Sequence, residues 1–445
     1  MNFFHLLSAK QETGSRLRVG LIGLGKFGAM FLSQVRITPG IHLLGVADWD
    51  LEKAKKAFQQ TGWSRDAYHQ GNAKKALGLG TTWLTEDADE LISADGLEVV
   101  IEATGDPIAG VRHAYSCIGY GRHVIMANVE ADVLAGLFLA KYAGSAGVVY
   151  SLAYGDQPAI ICEQVDWARA SGLEVVAAGK GTLYMPEYKS STPETVWKYY
   201  GITRSRAEES GMNAKMFNSF LDGTKSAIEM AAVCNATGLT APKSGLSFPP
   251  VSPNNLAHCL IPERAGGLIS KEGMVEVVSA RNRDGTDLPN DLRWGTFVTF
   301  KAPNEYVARC FSDYGLIVDS SGEYSAIWRP YHLIGLELGI SVANVGLLNL
   351  PTGQPMVWNA DVIAVAKRDL MAGESLDGEG GYTVLGRLVP KTISLLKKAL
   401  PIGLARDVKL KTDIKTGQVI TFKDVTSCKE ADILQFRKEM ETFEL

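Results

Sequence analysis

The amino-acid sequence predicts an α/β protein that consists of a doubly wound parallel sheet, a second α+β domain and a small β-rich tail. The sheet is predicted because apolar strand-like runs alternate with helical segments and because a glycine cluster follows the first run. A ten-residue motif that recurs near the end of the chain predicts the tail. We expect a first domain at 1–155, a second at 156–325, a returning helical segment at 326–360 and the tail at 361–445.

The elements of the first two domains follow from the apolar pattern. After an N-terminal arm or helix of about 16 residues, mostly apolar runs fit strands that are buried on both faces of a parallel sheet. In the second domain, strands alternate with loops and one long helix, and Pro249, Pro250 and Pro253 mark loops. The expected strands are 17–22, 42–47, 97–103, 123–127, 148–152, 173–178 and 297–300, and the expected helices are 51–60 and 214–237.

The tail carries a weak internal repeat. Segments 367–376 and 411–420 share a lysine, an aspartate, an aliphatic residue, a glycine and a second aliphatic residue in register, at an offset of 44 residues. Each copy predicts a strand, a tight turn at its glycine and a returning strand. We therefore expect one compact β module of two related halves, because a solenoid needs about three repeats.

The composition is that of an ordinary globular protein of two or three domains. The 445 residues are 46% hydrophobic and 21% charged, which excludes a mainly disordered, collagen-like or coiled-coil chain. The net charge of −4, without a long basic block, argues against nucleic acid as a partner. No apolar run reaches the roughly 18 residues of a membrane helix, and the N-terminal segment lacks the features of a signal peptide. We therefore expect a soluble protein with no membrane partner.

The cysteines point to a reducing compartment. They lie far apart and include no CxxC pair, so neither a zinc knuckle nor a disulfide framework is indicated. Free thiols in the cytoplasm are the expectation. The six are Cys117, Cys162, Cys234, Cys259, Cys310 and Cys428.

The strongest chemical motif is a GxGxxG loop that follows the first strand directly and opens a helix. Gly23 permits the tight turn, Gly25 lets the backbone approach a pyrophosphate, and Gly28 allows close packing of the helix on the sheet. The helix N-terminus then presents free N–H groups to the anion. We expect a Rossmann dinucleotide-binding domain whose loop residues contact the cofactor, namely Gly23, Leu24, Gly25, Lys26, Phe27 and Gly28.

Residues after later strands are expected to bind the rest of the cofactor. Asp48 lies 20 residues past Gly28, at the end of the second strand, where it can accept hydrogen bonds from the adenosine ribose. Its charge would repel a 2′-phosphate, so the residues alone favour NAD over NADP. Thr104 and Gly105 leave room for the nicotinamide side of the cofactor to cross the strand ends. Asn128 either binds the nicotinamide ribose or the substrate, or forms a turn.

A second constellation lies on the long helix of the second domain. Asp222, Lys225 and Glu229 follow one another at i, i+3 and i+7, which places them on one helical face. Carboxylate and ammonium groups side by side suit proton transfer at a carbonyl or alcohol oxygen. The alternative is a solvated, salt-bridged helix face.

Further polar residues are candidates for substrate binding. Arg329 could hold a carboxylate or phosphate through two hydrogen bonds, and it opens a predicted helix together with His332. His332 is either an acid–base group or a packing histidine. Asp156 lies where the sheet leads into the second domain, beside any bound nicotinamide. Four further residues could be anion ligands, although residues of this kind are more often surface charges: Lys180, Lys189, Arg204 and Arg206.

These motifs together resemble the homoserine-dehydrogenase-like family of NAD(P)-dependent oxidoreductases. The resemblance implies that Asp222 and Lys225 handle the substrate hydroxyl and its proton. In homoserine dehydrogenases a lysine follows the asparagine that corresponds to Asn128, whereas Val129 and Glu130 follow it here, so homoserine is not the expected substrate. The segments that carry the resemblance are the glycine loop from Gly23, Glu102-Ala103-Thr104-Gly105, the strand 123–128 and Asp222-Gly223-Thr224-Lys225.

The tail resembles a SAF domain, which has a β-clip fold. With the segment Arg329-Pro330-Tyr331-His332-Leu333, it gives a narrower resemblance to the deoxyxylulose-phosphate-reductoisomerase-like proteins of some bacteria, over nearly the whole chain. This narrower resemblance implies NADPH and a divalent metal such as magnesium or manganese. The carboxylates to inspect as metal ligands are Asp156, Glu163, Asp222 and Glu229.

Three functions remain open. The first is a reductoisomerase of isoprenoid biosynthesis that converts 1-deoxy-D-xylulose 5-phosphate to 2-C-methyl-D-erythritol 4-phosphate, with Lys225 at the developing oxyanion and Arg329 at the phosphate. The second is an NAD(P)-dependent dehydrogenase of a polyol, a sugar acid or another hydroxy or oxo metabolite. The third is a non-catalytic dinucleotide-binding sensor. The expected partner is a small anionic or phosphorylated molecule, and we expect a homo-oligomer, either a dimer or a tetramer.

Overall fold

A computed structural model describes residues 2–209, 212–426 and 430–443. The helices are α1 (Phe3–Glu12), α2 (Lys26–Val35), α3 (Leu51–Gln60), α4 (Ala73–Leu79), α5 (Ala88–Ser93), α6 (Pro107–Gly119), α7 (Val129–Ser145), α8 (Gln157–Ala170), α9 (Val196–Tyr200), α10 (Arg204–Glu209), α11 (Ala214–Leu221), α12 (Thr224–Thr237), α13 (Leu256–Cys259), α14 (Glu305–Asp313), α15 (Gly339–Leu348), α16 (Lys391–Lys397) and α17 (Ala431–Thr442). The strands are β1 (Leu17–Ile22), β2 (Ile41–Ala47), β3 (Tyr68–His69), β4 (Thr82–Thr85), β5 (Val99–Glu102), β6 (His123–Met126), β7 (Tyr150–Leu152), β8 (Glu174–Thr182), β9 (Met274–Ser279), β10 (Thr296–Lys301), β11 (Tyr324–Arg329), β12 (Ala360–Ala366), β13 (Ser375–Asp377), β14 (Val384–Pro390) and β15 (Arg406–Lys409).

The chain forms two compact units, each assembled from separate stretches of sequence. The first, here called the Rossmann unit, contains the described residues within 1–160, 333–356 and 432–445. The second unit contains those within 161–332 and 357–431. Five of the six cysteines are free thiols, and Cys428 lies outside the described residues. Within the described ranges, no helix is both long enough and apolar enough to cross a membrane.

The Rossmann unit is built on a seven-stranded sheet with the order β3-β4-β2-β1-β5-β6-β7. Every neighbouring pair runs parallel, which confirms the predicted doubly wound α/β class. The order reverses direction beside β1, and ligands bind at such switch points, outside the carboxyl ends of the strands. The core strands are fully buried because helices cover both faces, with Val19, Leu21 and Ile101 each at 0% exposure.

Helix α17 packs against helices α6 and α7 within the Rossmann unit through aromatic rings. Phe436 lies 4.7 Å, centroid to centroid, from both Tyr115 on α6 and Phe138 on α7. Beside this stack, Arg112 Nε donates to Asp432 Oδ2 at 2.8 Å. Aromatic pairs of this kind contribute about 0.5–1.5 kcal/mol each beyond their buried area, so the helix is firmly held.

The second unit is built on a mixed sheet with the order β11-β10-β8-β9. Strands β8 and β9 are parallel, while β10 runs antiparallel to both β8 and β11. The predicted strands 173–178 and 297–300 are thus found, although β8 extends four residues further, to Thr182. The second unit therefore has the predicted α+β class.

The predicted helix 214–237 is interrupted. Helix α11 ends at Leu221, α12 begins at Thr224, and Gly223 between them has φ of +88°. A left-handed glycine ends one helix and allows the next to start in a new direction. The expectation that Asp222, Lys225 and Glu229 lie at regular positions of one helix was therefore wrong, because Asp222 precedes the break.

The segment from Trp328 to Leu333 was predicted to open a helix, and this was also wrong. Residues up to Arg329 belong to β11, in which Trp328 pairs with Phe297 of β10. Helix α15 begins only at Gly339. Pro330 was an available signal, since the residue before a proline is pushed toward extended backbone.

The described residues of the predicted tail up to Ala431 belong to the second unit, whereas those from Asp432 onward belong to the Rossmann unit. The two halves of the repeat pack against each other within the second unit, as predicted. The tail strands pair as β12 with β14 and as β13 with β15, in both cases antiparallel. Leu370 and Ile414, which are 44 residues apart, exchange backbone hydrogen bonds of 2.8 and 2.9 Å. Other contacts occur in equivalent pairs at the same offset. Asp369 Oδ1 accepts from Thr416 N at 2.9 Å, and its equivalent Asp413 Oδ1 accepts from Ala372 N at 2.8 Å. Gly373 N donates to Leu410 O at 2.8 Å, and its equivalent Gly417 N donates to Ala366 O, also at 2.8 Å. The halves are therefore related by a local pseudo-two-fold axis.

Candidate functional site

Two of the three glycines in the GxGxxG loop are required by the fold itself. Gly23 has φ of +91°, and a Cβ there would lie 2.7 Å from Ala103 O. A Cβ on Gly28 would lie 2.5 Å from Gly23 O. Any side chain at either position would therefore collide with backbone, which is the packing role that the sequence predicts.

The third glycine is not explained by contacts within the chain. Gly25 has φ of −75°, which any residue can adopt, and a Cβ there would meet nothing within 4 Å. Gly25 is also the N-cap of α2 and offers no side-chain cap to the free N–H groups of the first turn. The space that a side chain would fill lies at the positive end of a helix, so the loop fits a dinucleotide pyrophosphate.

Asp48 does more than the sequence suggests. Its Oδ2 accepts a hydrogen bond from Leu24 N at 2.6 Å, and its Oδ1 accepts one from Asp50 N at 2.9 Å. The side chain is buried, with 7% exposure. Asp48 therefore fixes the glycine loop to the end of β2. Its contact with the adenosine ribose stays a prediction.

An acidic cavity lies at the carboxyl ends of β2 and β4. Its volume is about 510 Å³. It adjoins Asp48, because Asp48 N donates to Thr85 O at 3.1 Å. Trp49, the next residue after Asp48, is 82% exposed. The cavity is lined by Leu51, Gln70, Gly71, Trp83, Leu84, Thr85, Glu86, Asp87 and Glu90.

Asn128 and Thr104 belong to one polar network at the ends of β5 and β6, in which Asn128 is buried and Thr104 is exposed. Asn128 Nδ2 donates to Asp106 O at 2.8 Å, and Asn128 Oδ1 accepts from Ala131 N at 3.1 Å. Thr104 Oγ1 donates to Glu102 Oε1 at 2.6 Å. Asn128 thus caps α7 and holds the loop after β5, which matches the turn alternative. Gly105 in this loop has φ of +73°.

Sequence reasoning did not single out Glu102 as a site residue. Its side chain is 1% exposed, and besides Thr104 it meets His113 Nδ1 at 3.2 Å. A glutamate that ends an otherwise apolar strand was the available signal. Buried carboxylates need such partners, because an unpaired buried charge is very costly.

The second constellation consists of two buried ion pairs in the second unit. Lys367 Nζ lies 2.6 Å from Asp222 Oδ2, and both side chains are almost fully buried. Lys180 Nζ forms an ion pair with Glu229 Oε2, again with both side chains buried. Lys225, at the start of α12, is partly exposed. The predicted trio is thus close in sequence, but two of its members take lysine partners from other elements.

Burial and ion pairing act in opposite directions on Asp222. The pKa of the Asp222 carboxyl group lies above its usual range because the group is buried, and the ammonium group of Lys367 and the hydrogen bonds from Thr224 only partly offset this rise. The carboxylate also raises the pKa of a nearby phenol, that of Tyr200, which reaches about 12 chiefly because the ring is buried.

Two stacked aromatic rings, those of Tyr184 and Phe248, lie beside the helix break. The rings of Tyr184 and Phe248 stack at 3.9 Å between centroids, and a Cβ on Gly223 would lie 3.1 Å from Phe248 Cζ. Phe248 has φ of +52°, which is strained for a bulky residue. Arg283 Nη2 donates to Phe248 O at 2.8 Å and so helps to hold this conformation.

The remaining predicted residues are scattered. Asp156 is 3% exposed in the Rossmann unit, with Oδ1 accepting from Gln157 N at 2.8 Å. His332 Nδ1 lies 2.7 Å from Trp294 O in the second unit. Lys189 and Arg204 are exposed on that unit, with Arg204 Nε bound to Glu208 at 2.9 Å, and Arg329 pairs in register with Thr296. Their substrate-binding roles stay predictions.

Across the described ranges, no group of three or more His, Cys, Asp or Glu side chains is arranged to hold a metal.

Residues 155–338 match the family model "Oxidoreductase DRL, catalytic domain". The match spans less than half of the chain, and it confirms the prediction of an oxidoreductase enzyme. No curated protein matches the chain.

Similar solved structures have low sequence identity. Scyllo-inositol dehydrogenase from Lactobacillus casei, with bound NAD(H) and scyllo-inositol, is 12% identical, with 76% of this chain and 92% of that chain covered and a TM-score of 0.40. A protein from Thermotoga maritima described as a probable dehydrogenase is 12% identical, with 70% and 75% covered and a TM-score of 0.35. An NAD binding oxidoreductase from Klebsiella pneumoniae is 16% identical, with 72% and 67% covered and a TM-score of 0.34. All three TM-scores are below 0.5, so these similarities carry no argument about function.

Proposed function

We propose that the protein is an NAD-dependent oxidoreductase that interconverts a hydroxyl and a carbonyl group on a small anionic molecule. The observation that carries the proposal is the open space at Gly25, which the fold leaves free at the N-terminus of α2. The match of residues 155–338 to an oxidoreductase catalytic domain supports the same reaction class. When bound, the nicotinamide would supply or accept the hydride.

NAD is favoured over NADP by the charges around the proposed adenosine site. Asp48 stands at the end of β2, and the adjoining cavity adds the carboxylates of Glu86, Asp87 and Glu90. A 2′-phosphate would meet this negative surface, whereas a free 2′-hydroxyl can donate a hydrogen bond to Asp48. The narrower resemblance implies NADPH instead, so binding of the two cofactors has to be compared directly.

Lys225 is the proposed acid–base residue. Its ammonium group would donate a proton to the substrate oxygen during reduction, and the resulting neutral amine would accept a proton from the substrate hydroxyl during oxidation. Asp222 lies three residues earlier and accepts a hydrogen bond from Thr224 N at 2.8 Å, which ties it to the first turn of α12. Its carboxylate would favour the protonated form of a nearby lysine. Arg329, Lys189 and Arg204 are the proposed ligands for the substrate anion, and a homo-oligomer is the proposed assembly.

The duplicated tail keeps a narrower candidate open. It is the feature on which the resemblance to reductoisomerase-like proteins depends, and that activity would rearrange 1-deoxy-D-xylulose 5-phosphate before reducing it. A genetic test separates this candidate. A bacterium that lacks its own reductoisomerase would regain growth without isoprenoid precursors if the candidate is right. Continued failure to grow, with soluble protein present, would leave the plain dehydrogenase.

The direct test uses the purified full-length chain. NADH and NADPH are titrated separately by fluorescence, and reduced nicotinamide is then followed by absorbance with polyols, sugar acids and keto-sugar phosphates. We expect tighter binding of NADH and turnover with one anionic class. Tight cofactor binding without turnover on any class would favour a dinucleotide sensor, and no binding of either cofactor would overturn the proposal.

A further inference from the structure

The tail contributes a charged group to the position that the sequence predicts to be catalytic. Asp222 lies at the break between α11 and α12 and is 2% exposed. One of its carboxylate oxygens accepts from Thr224 N, and the other lies 2.6 Å from Lys367 Nζ. Lys367 belongs to the first half of the tail repeat, far from Asp222 in sequence.

The ammonium group of Lys367 is held by three oxygen atoms. Besides Asp222, it donates to Gly381 O at 2.8 Å and to Ser191 O at 3.0 Å. The ammonium group is therefore fixed from three sides, and its side chain is 2% exposed. A lysine fixed in this way can set the orientation and the ionisation of the carboxylate that it faces.

The repeat supplies an internal comparison for Lys367. Lys411 occupies the equivalent position 44 residues later, yet it is exposed. The turns of both halves make equivalent contacts, such as those of Asp369 and Asp413 with the opposite half. The fold of the repeat thus does not require a buried lysine at this position. Lys367 differs from Lys411 in that it is buried against Asp222.

Further contacts bind the same tail surface to the segment around Asp222. Gly386 N donates to Thr224 Oγ1 at 2.8 Å, and Asn218 Nδ2 donates to Gly380 O at 2.9 Å. Lys215 Nζ donates to Asp377 O at 3.0 Å. The tail therefore holds residues on both sides of the helix break, within the second unit.

We propose that Lys367 is a positioning residue that keeps Asp222 oriented and ionised for proton transfer at Lys225, so that the tail completes the catalytic site. This proposal rests on the proposed function. Lys367 acts through Asp222 and does not itself touch the substrate. The tail is thereby an integral part of the enzyme and not a separate recognition module.

A double-mutant cycle on kcat tests the proposal. The full-length variants are Lys367→Met, Asp222→Asn and the two combined, with Lys411→Met as the matched control. We expect Lys367→Met and Asp222→Asn each to lower kcat at least tenfold, with KM and NADH affinity nearly unchanged. The combined variant should be no slower than Asp222→Asn alone, because Lys367 has no further role once Asp222 is neutral. Lys411→Met should retain wild-type kcat.

The outcomes separate this proposal from the proposed function. Losses that multiply in the combined variant, or wild-type kcat in Lys367→Met, would overturn the role of Lys367 alone. If Lys367→Met does not fold, the combined variant is used instead, because it removes both buried charges. Its kcat is then compared with that of Asp222→Asn. Equal values support the proposal, and a lower kcat in the combined variant overturns it. A wild-type chain without any NAD(P)-dependent turnover would overturn the proposed function and this inference with it.

Discussion

In the Rossmann unit, the buried Asp132 and Glu102 lie beside hydroxyl and imidazole groups, whereas in the second unit Asp222 and Glu229 lie beside lysines. Burial raises the pKa of Asp132 to about 7, whereas for Asp222 the ammonium group of Lys367 opposes the rise that burial causes. Asp222 and Glu229 are therefore held in buried ion pairs, whereas Asp132 is held by the hydrogen bond from Tyr150. We expect substitutions in the Rossmann unit to alter binding or pH-dependent stability, and substitutions in the second unit to alter folding or turnover.

The largest effect is expected from breaking a buried ion pair. Lys180→Met leaves the Glu229 carboxylate buried without its cation, which typically destabilises a protein by about 3–5 kcal/mol. Denaturant unfolding would measure the change. Lys198→Met, on an exposed lysine of the same unit, should stay within about 0.5 kcal/mol of wild type. Equal stabilities of the two variants would contradict the importance of the pair.

The next effect concerns turnover. Lys225→Met removes the proposed proton donor, and such a loss typically costs about a hundredfold in rate. Cofactor affinity and melting temperature should stay close to wild type, because Lys225 is partly exposed and the glycine loop belongs to the Rossmann unit. Steady-state kinetics, NADH titration and a thermal melt give the three readings. Near-normal turnover would make α12 structural and transfer the acid–base role to His332.

A third prediction uses the buried acid that has no lysine. Asp132 Oδ1 accepts a hydrogen bond from the Tyr150 hydroxyl at 2.9 Å, and burial raises the pKa of Asp132 to about 7. Between the unfolded pKa of about 3.9 and this value, the folded state keeps a proton that the unfolded state releases. Stability from this group is therefore complete at low pH and is lost as the pH rises to about 7.

Asp132→Asn should abolish that pH dependence. At neutral pH and above, the variant should be more stable than wild type by up to about 4 kcal/mol, and the advantage should vanish near pH 4. Denaturant unfolding at several pH values measures it. Asp166→Asn, on an exposed face of α8, is the control and should follow the wild-type curve. A wild-type curve that is flat over this range would refute the buried neutral acid.

The smallest effect is expected at the glycine loop. Gly25→Ala places a methyl group in the space proposed for the pyrophosphate and should weaken NADH binding about tenfold, or about 1.4 kcal/mol. The fold should tolerate the change, because that methyl group meets no protein atom within 4 Å. Gly144→Ala, which also meets nothing within 4 Å but lies in α7, is the matched control. Unchanged NADH affinity in Gly25→Ala would remove the loop from the binding site.

The sequence predicts the Rossmann unit far better than the second unit, and the reason is the range of the determining interactions. Strand 17–22 and helix 51–60 were predicted with the bounds that the structure has, because apolar runs and flanking signals are local. Gly223 was a local signal for the helix break, but a single glycine inside a helical pattern does not by itself show whether the helix continues. The strand 324–329 forms because β10 lies beside it.

The candidate site shows the same limit. The glycine loop and Asp48 are recognisable because a short motif carries their chemistry. Lys367 could not be chosen as the partner of Asp222, since the tail repeat contains two equivalent lysines and only the fold buries one of them. Glu102 belongs to a recognisable motif, but the sequence does not show that its buried carboxyl group contacts His113, which lies eleven residues later on α6.

The aromatic contact of α17 with α6 and α7 has a consequence during protein synthesis. Tyr115 and Phe138 emerge from the ribosome long before Phe436, with which both of them stack. Residues 357–431 of the second unit are synthesised in between. The nascent Rossmann unit therefore carries an uncovered aromatic surface until α17 is translated. Slow translation between these points would prolong its exposure to aggregation and to chaperones that bind apolar surface.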